Sequence, residues 1–538
     1  MKVITKTIAA GIISVAMLSP MAYAKKHPIT GEELAADQTF TYRMLDEIDS
    51  LDPQLIEGVD ASNVARDLFE GLVNQDADGN LMPGVAQRWV ASPDNMSFRF
   101  YLRQNAKWSN GDPVTAHDFV YAWRRLADPA TASPYSWFME IMNVENASAI
   151  VSGEKEPSTL GVKAVDDYTL DVKLSQPMPY FPKMVAHTST FPVNQKVIEK
   201  YGSDWTKPGN MVGNGAYVLT EYVVNERSVR ERNKYYWNND ATIIDKVVAM
   251  VINDENQAYA RFKAGEVMKT DIPAGQFQRL LKENPEETKS MPQLCTYYYN
   301  FNMTRPPFDD VRVRKALSYA IDRDVIAKRI LGAGQTSAYV FTPPKTNGFV
   351  TPDLAWEHMT QKERDQKARE LLAEAGFTKA NPLKLAILYN TSEDHKRIAI
   401  AISQMWKQKL GVDATLENLE WKTYLETKKL PDYDVSRAGW CGDYNEASTF
   451  LTLMMSDNAQ NDSKYKNPQY DTLMKESTGM ADPNVNYTQA EQLLARDMPI
   501  APIYHYAEDI AISKYLKGWP YNNIEQNIYS KDMYIIAH

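Results

Sequence analysis

Seven histidines, at positions 27, 117, 187, 358, 395, 505 and 538, are the side chains best suited to bind a metal or to move a proton near neutral pH. They are scattered without metal-ligand spacing, and the chain contains no His-Glu-x-x-His, no Cys-x-x-Cys and no Gly-x-Ser-x-Gly elbow. Gly332-Ala333-Gly334 lacks the third glycine and the preceding strand of a phosphate-binding loop, and reads as a turn after a helix ending near Ile330. No metal and no cofactor is therefore expected. The 69 carboxylates could still conceal a glycosidase pair, because such pairs have no fixed spacing. A secreted hydrolase remains a rival reading on that ground alone.

The elements that would position these groups are clearest between Thr360 and Asn418. Thr360 and Glu363 form a capping-box pattern, Ala368, Leu371, Leu372 and Ala375 follow at helical spacing, and Gly376 stops the helix. Residues 382–389 read as a strand. Ser392 suits the N-cap of a second helix with an apolar face of Ile398, Ile402, Met405 and Trp406 ending at Gly411, and Val412, Ala414 and Leu416 alternate as another strand. Strand, helix, strand in this order implies a parallel pair with a right-handed crossover, and ligands of such sheets gather at the carboxyl ends of the strands. We find no internal repeat, low-complexity tract or flexible linker that would draw domain boundaries.

At 538 residues the chain is several times the size of one domain, and its 44% hydrophobic and 24% charged residues suit two or three lobes with substantial cores. A formal charge of −10 without a long basic run argues against non-specific binding to nucleic acid or anionic lipid. The 31 tyrosines, against 16 Phe and 11 Trp, offer rings that stack and hydroxyls that hydrogen-bond, which suits a recognition surface as well as a core. Lys2 and Lys6, an apolar stretch from Ile8 to Leu18 and Ala22-Tyr23-Ala24 before Lys25 read as a cleavable export signal over residues 1–24. No later stretch is apolar and long enough to insert in a membrane, and no cysteine follows the apolar segment to carry a lipid anchor. Cys295 and Cys441 are the only cysteines, and in an exported chain they most simply pair, two buried free thiols being the alternative. Closure of so long a loop would constrain the unfolded chain by about 5 kcal/mol, less any native strain.

Four stretches carry a resemblance: Pro83-Gly84-Val85-Ala86 through Trp89, residues 102–119 (LRQNAKWSNGDPVTAHDF), 307–317 (PFDDVRVRKAL) and 437–446 (RAGWCGDYNE). In order and over essentially the whole mature chain, the sequence resembles the extracytoplasmic peptide-binding proteins of ABC importers. The resemblance implies a three-lobed α/β periplasmic-binding-protein fold with mixed sheets flanked by helices and a hinged cleft. Lobe I would comprise residues 25–68, 193–294 and 511–538, lobe II residues 69–192, and lobe III residues 295–510. It further implies a periplasmic monomer that is not an enzyme, captures short oligopeptides and delivers them to an inner-membrane ABC permease. Recovery of a cell-wall murein tripeptide is the runner-up within the same family. The family disulfide falls on Cys295 and Cys441.

A receptor for many peptides must grip their backbone and charged ends, and strand addition does the first. By similarity, Glu57, Gly58 and Val59 on one side and Gly439, Trp440 and Cys441 on the other supply edge strands, and glycine at 439 would permit close backbone approach. Tyr135, Tyr298, Trp421 and Trp440 match aromatic walls of hydrated side-chain pockets. Asp443 matches the aspartate that pairs with a peptide's α-amino group; taken alone, an acid in Gly-Asp-Tyr-Asn is more often a turn former. Arg437 matches an arginine reaching the carboxylate of shorter peptides, although alone it would read as a solvated charge. His395, at a helix start after a strand ending near Asn390, is an anion site by dipole and resemblance or else a helix-surface histidine. His395 and Asn390 are expected in a separate corner, deeper than Arg437, so that the two cations serve peptides of different length. Leu331 stands where the family has a lysine, Lys428 where an arginine is usual, and Gln293 in place of a site tyrosine.

Overall fold

The computed structural model describes residues 25–430, 432–480 and 482–538, so the expected export signal over 1–24 lies outside the described residues. The segment 360–419 folds as its pattern requires. Thr360 and Glu363 close a capping box on the helix Gln361–Glu374, and Gly376 follows with φ 92°. Ser392 Oγ accepts from the His395 N–H to cap the helix Glu393–Leu410, whose Ile398, Ile402 and Trp406 are fully buried. The flanking strands Lys384–Asn390 and Asp413–Leu419 pair in parallel, Lys384 opposite Asp413 and Asn390 opposite Leu419. Gly332 and Gly334 turn the chain after the helix Val325–Leu331, with φ 67° and 105°.

These strands edge one large mixed sheet. Its spatial order is Asp413–Leu419, Lys384–Asn390, Val435–Cys441, Thr288–Phe301, Ile500–Ile512, Lys269–Asp271, Thr39–Met44, Lys246–Val251, Arg227–Arg232 and Tyr217–Val223, with the short strand Thr336–Ser337 against Ile500–Ile512. Among the described residues, the pair Thr288–Phe301 and Ile500–Ile512 is what joins the two halves. The first half of Thr288–Phe301 lies opposite the last part of Ile500–Ile512, which also pairs with Lys269–Asp271; the second half pairs with Val435–Cys441. The register breaks between them, because Pro292 lies opposite Ala507 but Thr296 opposite His505. Such an irregularity bends a strand and raises its twist.

A second, antiparallel sheet orders Ala86–Ala91, Ser97–Leu102, Thr169–Lys173 and Val162–Asp166. The helix Ala116–Ala127 covers it with the fully buried Phe119 and Trp123. Its neighbouring aromatics reach across to the chain after Gly439. Trp137 lies 6.0 Å from Trp440, and Tyr180 stacks on Tyr444 at 6.0 Å. Trp137 and Tyr444 are buried, each contributing about 1.5–3 kcal/mol by leaving water, while Tyr180 and Trp440 are half-buried against them. The fold is thus the expected α/β arrangement of mixed sheets flanked by helices.

Candidate functional site

Val435–Cys441 pairs with Thr288–Phe301 from Val435 opposite Phe301 to Cys441 opposite Cys295, and Cys295 and Cys441 form a disulfide with a Cα separation of 4.0 Å. On its other side Lys384–Asn390 meets only Val435 and Ser436. The stretch from Arg437 to Cys441 is therefore a sheet edge facing the cleft. Gly439, Trp440 and Cys441 occupy that edge. A Cβ on Gly439 would lie 2.9 Å from the Tyr506 hydroxyl and 3.0 Å from Arg437 Nη2, so the glycine also makes room for that pair.

The opposite side differs from expectation. Glu57, Gly58 and Val59 do not form an edge strand. Val59 begins the helix Val59–Leu68, Gly58 is its N-cap, and the N–H groups of Glu57 and Gly58 both donate to Asp49. These donors are already satisfied locally, which removes half of what a strand edge would offer. Glu57 instead reaches across the cleft, where Lys429 Nζ lies 2.9 Å from its Oε2. Burial, more than the backbone donors offset, pushes the Asp49 carboxyl up to about 6.

At one end of the cleft stands Asp443, whose side chain is 7% exposed. Its Oδ1 accepts from the Tyr135 hydroxyl at 3.3 Å and lies 3.3 Å from His187 Nε2. Its Oδ2 is buried without a partner. Trp137 and Trp440 wall the same region. Glu525 stands within electrostatic reach of Asp443 and Arg66; burial raises its carboxyl to about 7 despite the Gln75 amide donating at 2.8 Å.

At the other end Arg437 is buried, donating from Nη1 to Asn390 Oδ1 at 3.2 Å and from Nη2 to the Tyr506 hydroxyl at 2.7 Å. Its guanidinium lies 4.9 Å from the Tyr297 ring centroid, a cation–π distance. The His395 ring sits 5.6 Å from the same tyrosine, with Nδ1 buried and unpartnered. Burial first, and the Arg437 charge second, hold the His395 imidazole well below its ordinary range. His395 is thus a neutral group sharing a corner with Arg437 and Asn390, not a second cation in a deeper one. The helix start is real and acts in the same direction, because its positive end disfavours a cation there.

A cavity of about 430 Å³ opens beside this corner, with Val59, Asn390, His395, Trp421, Arg437, Gly439 and Cys441 on its wall. Leu331 and Gln293 also line it. Tyr135, Tyr298, Trp440 and Asp443 do not; Tyr135 and Trp440 lie by Trp137 near Asp443, and Tyr298 packs edge-on against Phe341 at 4.9 Å. Lys428 is bound to Asp462 at 2.9 Å and is not free for a ligand. Sequence reasoning missed His187, Tyr506, Asp49 and Glu525. His187 lacks metal-ligand spacing, and no local pattern ties it to an acid so far along the chain. Among the described residues no group of histidine, cysteine and carboxylate side chains is arranged to hold a metal.

A cleft between mixed α/β lobes, with a sheet edge, a buried acid at one end and a buried arginine at the other, defines a solute-binding protein that closes on its ligand. The chain belongs to the bacterial extracellular solute-binding proteins, family 5, whose model, described as that family's middle region, matches residues 80–462. It is 46% identical over 536 residues to the periplasmic oligopeptide-binding protein OppA of Salmonella typhimurium, covering 99% of this chain and 98% of that one. Among solved structures it is similar to the murein tripeptide binding protein MppA of Escherichia coli, with a TM-score of 0.92, 46% identity and coverage of 94% of this chain and all of that one. It is equally similar to Haemophilus influenzae OppA in complex with RPPGFSPFR, with a TM-score of 0.91, 44% identity and coverage of 94% and 100%. Against the unliganded open form of MppA, the TM-score is 0.69 at 46% identity, with coverage of 95% and 99%. The fold described here is thus more similar to the peptide complex than to the open form.

Proposed function

We propose that the protein captures short oligopeptides in the periplasm, after export through residues 1–24, and delivers them as a monomer to an inner-membrane ABC permease. The observation that carries this is the Asp443 carboxylate, one oxygen held by Tyr135 and the His187 ring and the other buried and unpaired. A buried charge without a partner is costly, and an α-ammonium supplies the missing one. The edge at Gly439, Trp440 and Cys441 pairs with peptide backbone, Arg437 receives the carboxylate, and Tyr135, Trp421 and Trp440 bound the side-chain space. Residues 25–68, 193–294 and 511–538 act as one lobe, 69–192 as a second and 295–510 as a third. The cleft closes by bending near the register break at 292–296. The similarity to MppA, as high as that to OppA, supports a second reading in which the ligand is a murein tripeptide.

Calorimetry with a tripeptide and its N-acetyl form tests the proposal. The free peptide should bind and be recovered uncleaved, while acetylation should cost about 2–5 kcal/mol because the buried Asp443 charge then stays unpaired. Equal affinity for both forms would refute the role of Asp443. Cleavage of the peptide would overturn the reading as a receptor. A murein tripeptide bound far more tightly than ordinary tripeptides would select the second reading.

A further inference from the structure

We infer that His187 is the positioning residue of the amino-end pocket. It fixes the Asp443 carboxylate so that Oδ2 alone is presented to a ligand ammonium, and it does so from the far side of the cleft. This rests on the reading that Asp443 receives the α-amino group. His187 caps the short helical turn Thr188–Thr190, and the Ser189 N–H donates to its Nδ1 at 3.3 Å. That bond makes Nδ1 an acceptor, so the ring proton sits on Nε2. Nε2 lies 3.3 Å from Asp443 Oδ1, which places the ring's N–H side against that oxygen. The ring is held between Tyr135, stacked at 5.0 Å, and Phe138 at 4.8 Å, so it cannot turn away. The Tyr135 hydroxyl, which donates, and His187 Nε2, 3.3 Å away, therefore meet on one oxygen and leave the other unpaired.

Both donors belong to the segment before Phe191, and Asp443 belongs to the edge strand's far end, 308 residues from Tyr135. The complete pocket exists when the two parts meet. Lys183 Nζ, which donates to the Asn445 carbonyl at 3.2 Å, ties the same two segments together. Capture of an amino end and docking of the residues around His187 are thus one event, because the contact that orients the acid is also a contact across the cleft.

Two substitutions separate positioning from support of the fold. His187→Asn keeps an acceptor to cap the turn but is too short to reach Asp443, whereas His187→Gln reaches it with an amide N–H. In the full-length mature protein, His187→Asn should weaken tripeptide binding about 10-fold or more, the effect of losing a hydrogen bond to a charged group. His187→Gln should restore most of it. The N-acetyl tripeptide should bind His187→Asn and the native protein alike, and in an Asp443→Asn background His187→Asn should add less than about threefold. Native-like tripeptide affinity in His187→Asn, with Asp443→Asn still defective, would overturn the role of His187 alone. So would equal losses for free and acetylated peptide, or failure of His187→Gln to rescue. Native-like affinity in Asp443→Asn would instead overturn the amino-end reading on which the inference rests.

Discussion

At the amino end of the cleft, an acid from the edge strand's far end meets a histidine and a tyrosine from the segment carrying the second sheet. At the carboxyl end, Arg437 is held by Asn390 and Tyr506, all within one half of the large sheet. The first pocket is assembled across the cleft; the second is built on one side of it. A group already fixed in its binding geometry loses little freedom on binding, so on the proposed reading the arginine corner would receive a carboxylate before closure. On the same reading the aspartate pocket would be complete only afterwards, and its contacts would shift the population toward the closed form.

The largest expected effect that would break this contrast comes from Arg437→Ala. It should weaken tripeptide and tetrapeptide binding alike, by about 1.5–3 kcal/mol, because Arg437, Asn390 and His395 share one corner. A loss confined to tripeptides, read by calorimetry, would restore the separate corners that sequence reasoning placed there. A somewhat smaller effect concerns Glu525, near the amino end, whose carboxyl burial raises to about 7. Its folded form holds more protons than the unfolded chain between about pH 4.5 and 7, so its charge costs stability above that window and the cost disappears as pH falls through it. Glu525→Gln should therefore raise stability at pH 8 by about 1–3 kcal/mol and by little at pH 5. An equal gain at both pH values in thermal melts would deny the shift. The smallest effect is expected at His395, held neutral by burial and by Arg437. Tetrapeptide affinity should change by less than about threefold between pH 6 and 8; a steady loss as pH rises through about 6.5 would mark a protonated imidazole.

What the sequence made legible was local. Thr360 with Glu363, Ser392 and Gly411 each state a helix boundary within a few residues, and the structure has caps at all three. The Arg437 to Glu446 motif likewise pointed to the edge strand and the acid. The misplacements were all matters of who else is near. Glu57 and Gly58 look like free backbone until Asp49, several residues earlier, takes their N–H groups. His395 looks like a cation until Arg437 is beside it. His187 carries no signature, since its partner is brought to it by tertiary contacts, among them Phe138 and Tyr180 against Tyr444 and Lys183 on the Asn445 carbonyl.

The interleaving of the large sheet has a consequence for how the chain comes to be folded at all. The strand Thr39–Met44 finds its partner only at Lys246–Val251, and Lys269 pairs with Ile512. Gln38 donates to the carbonyl of Ile535, 497 residues later, at 2.8 Å. A chain made or threaded from its amino end therefore carries unpaired strand edges until almost the last residue has emerged, and such edges invite aggregation. So large a share of non-local pairing makes folding slow, and intermediates that expose those edges persist meanwhile. Under the export proposed for residues 1–24, the same slowness would keep the chain open long enough to pass through a narrow channel before its sheet can close.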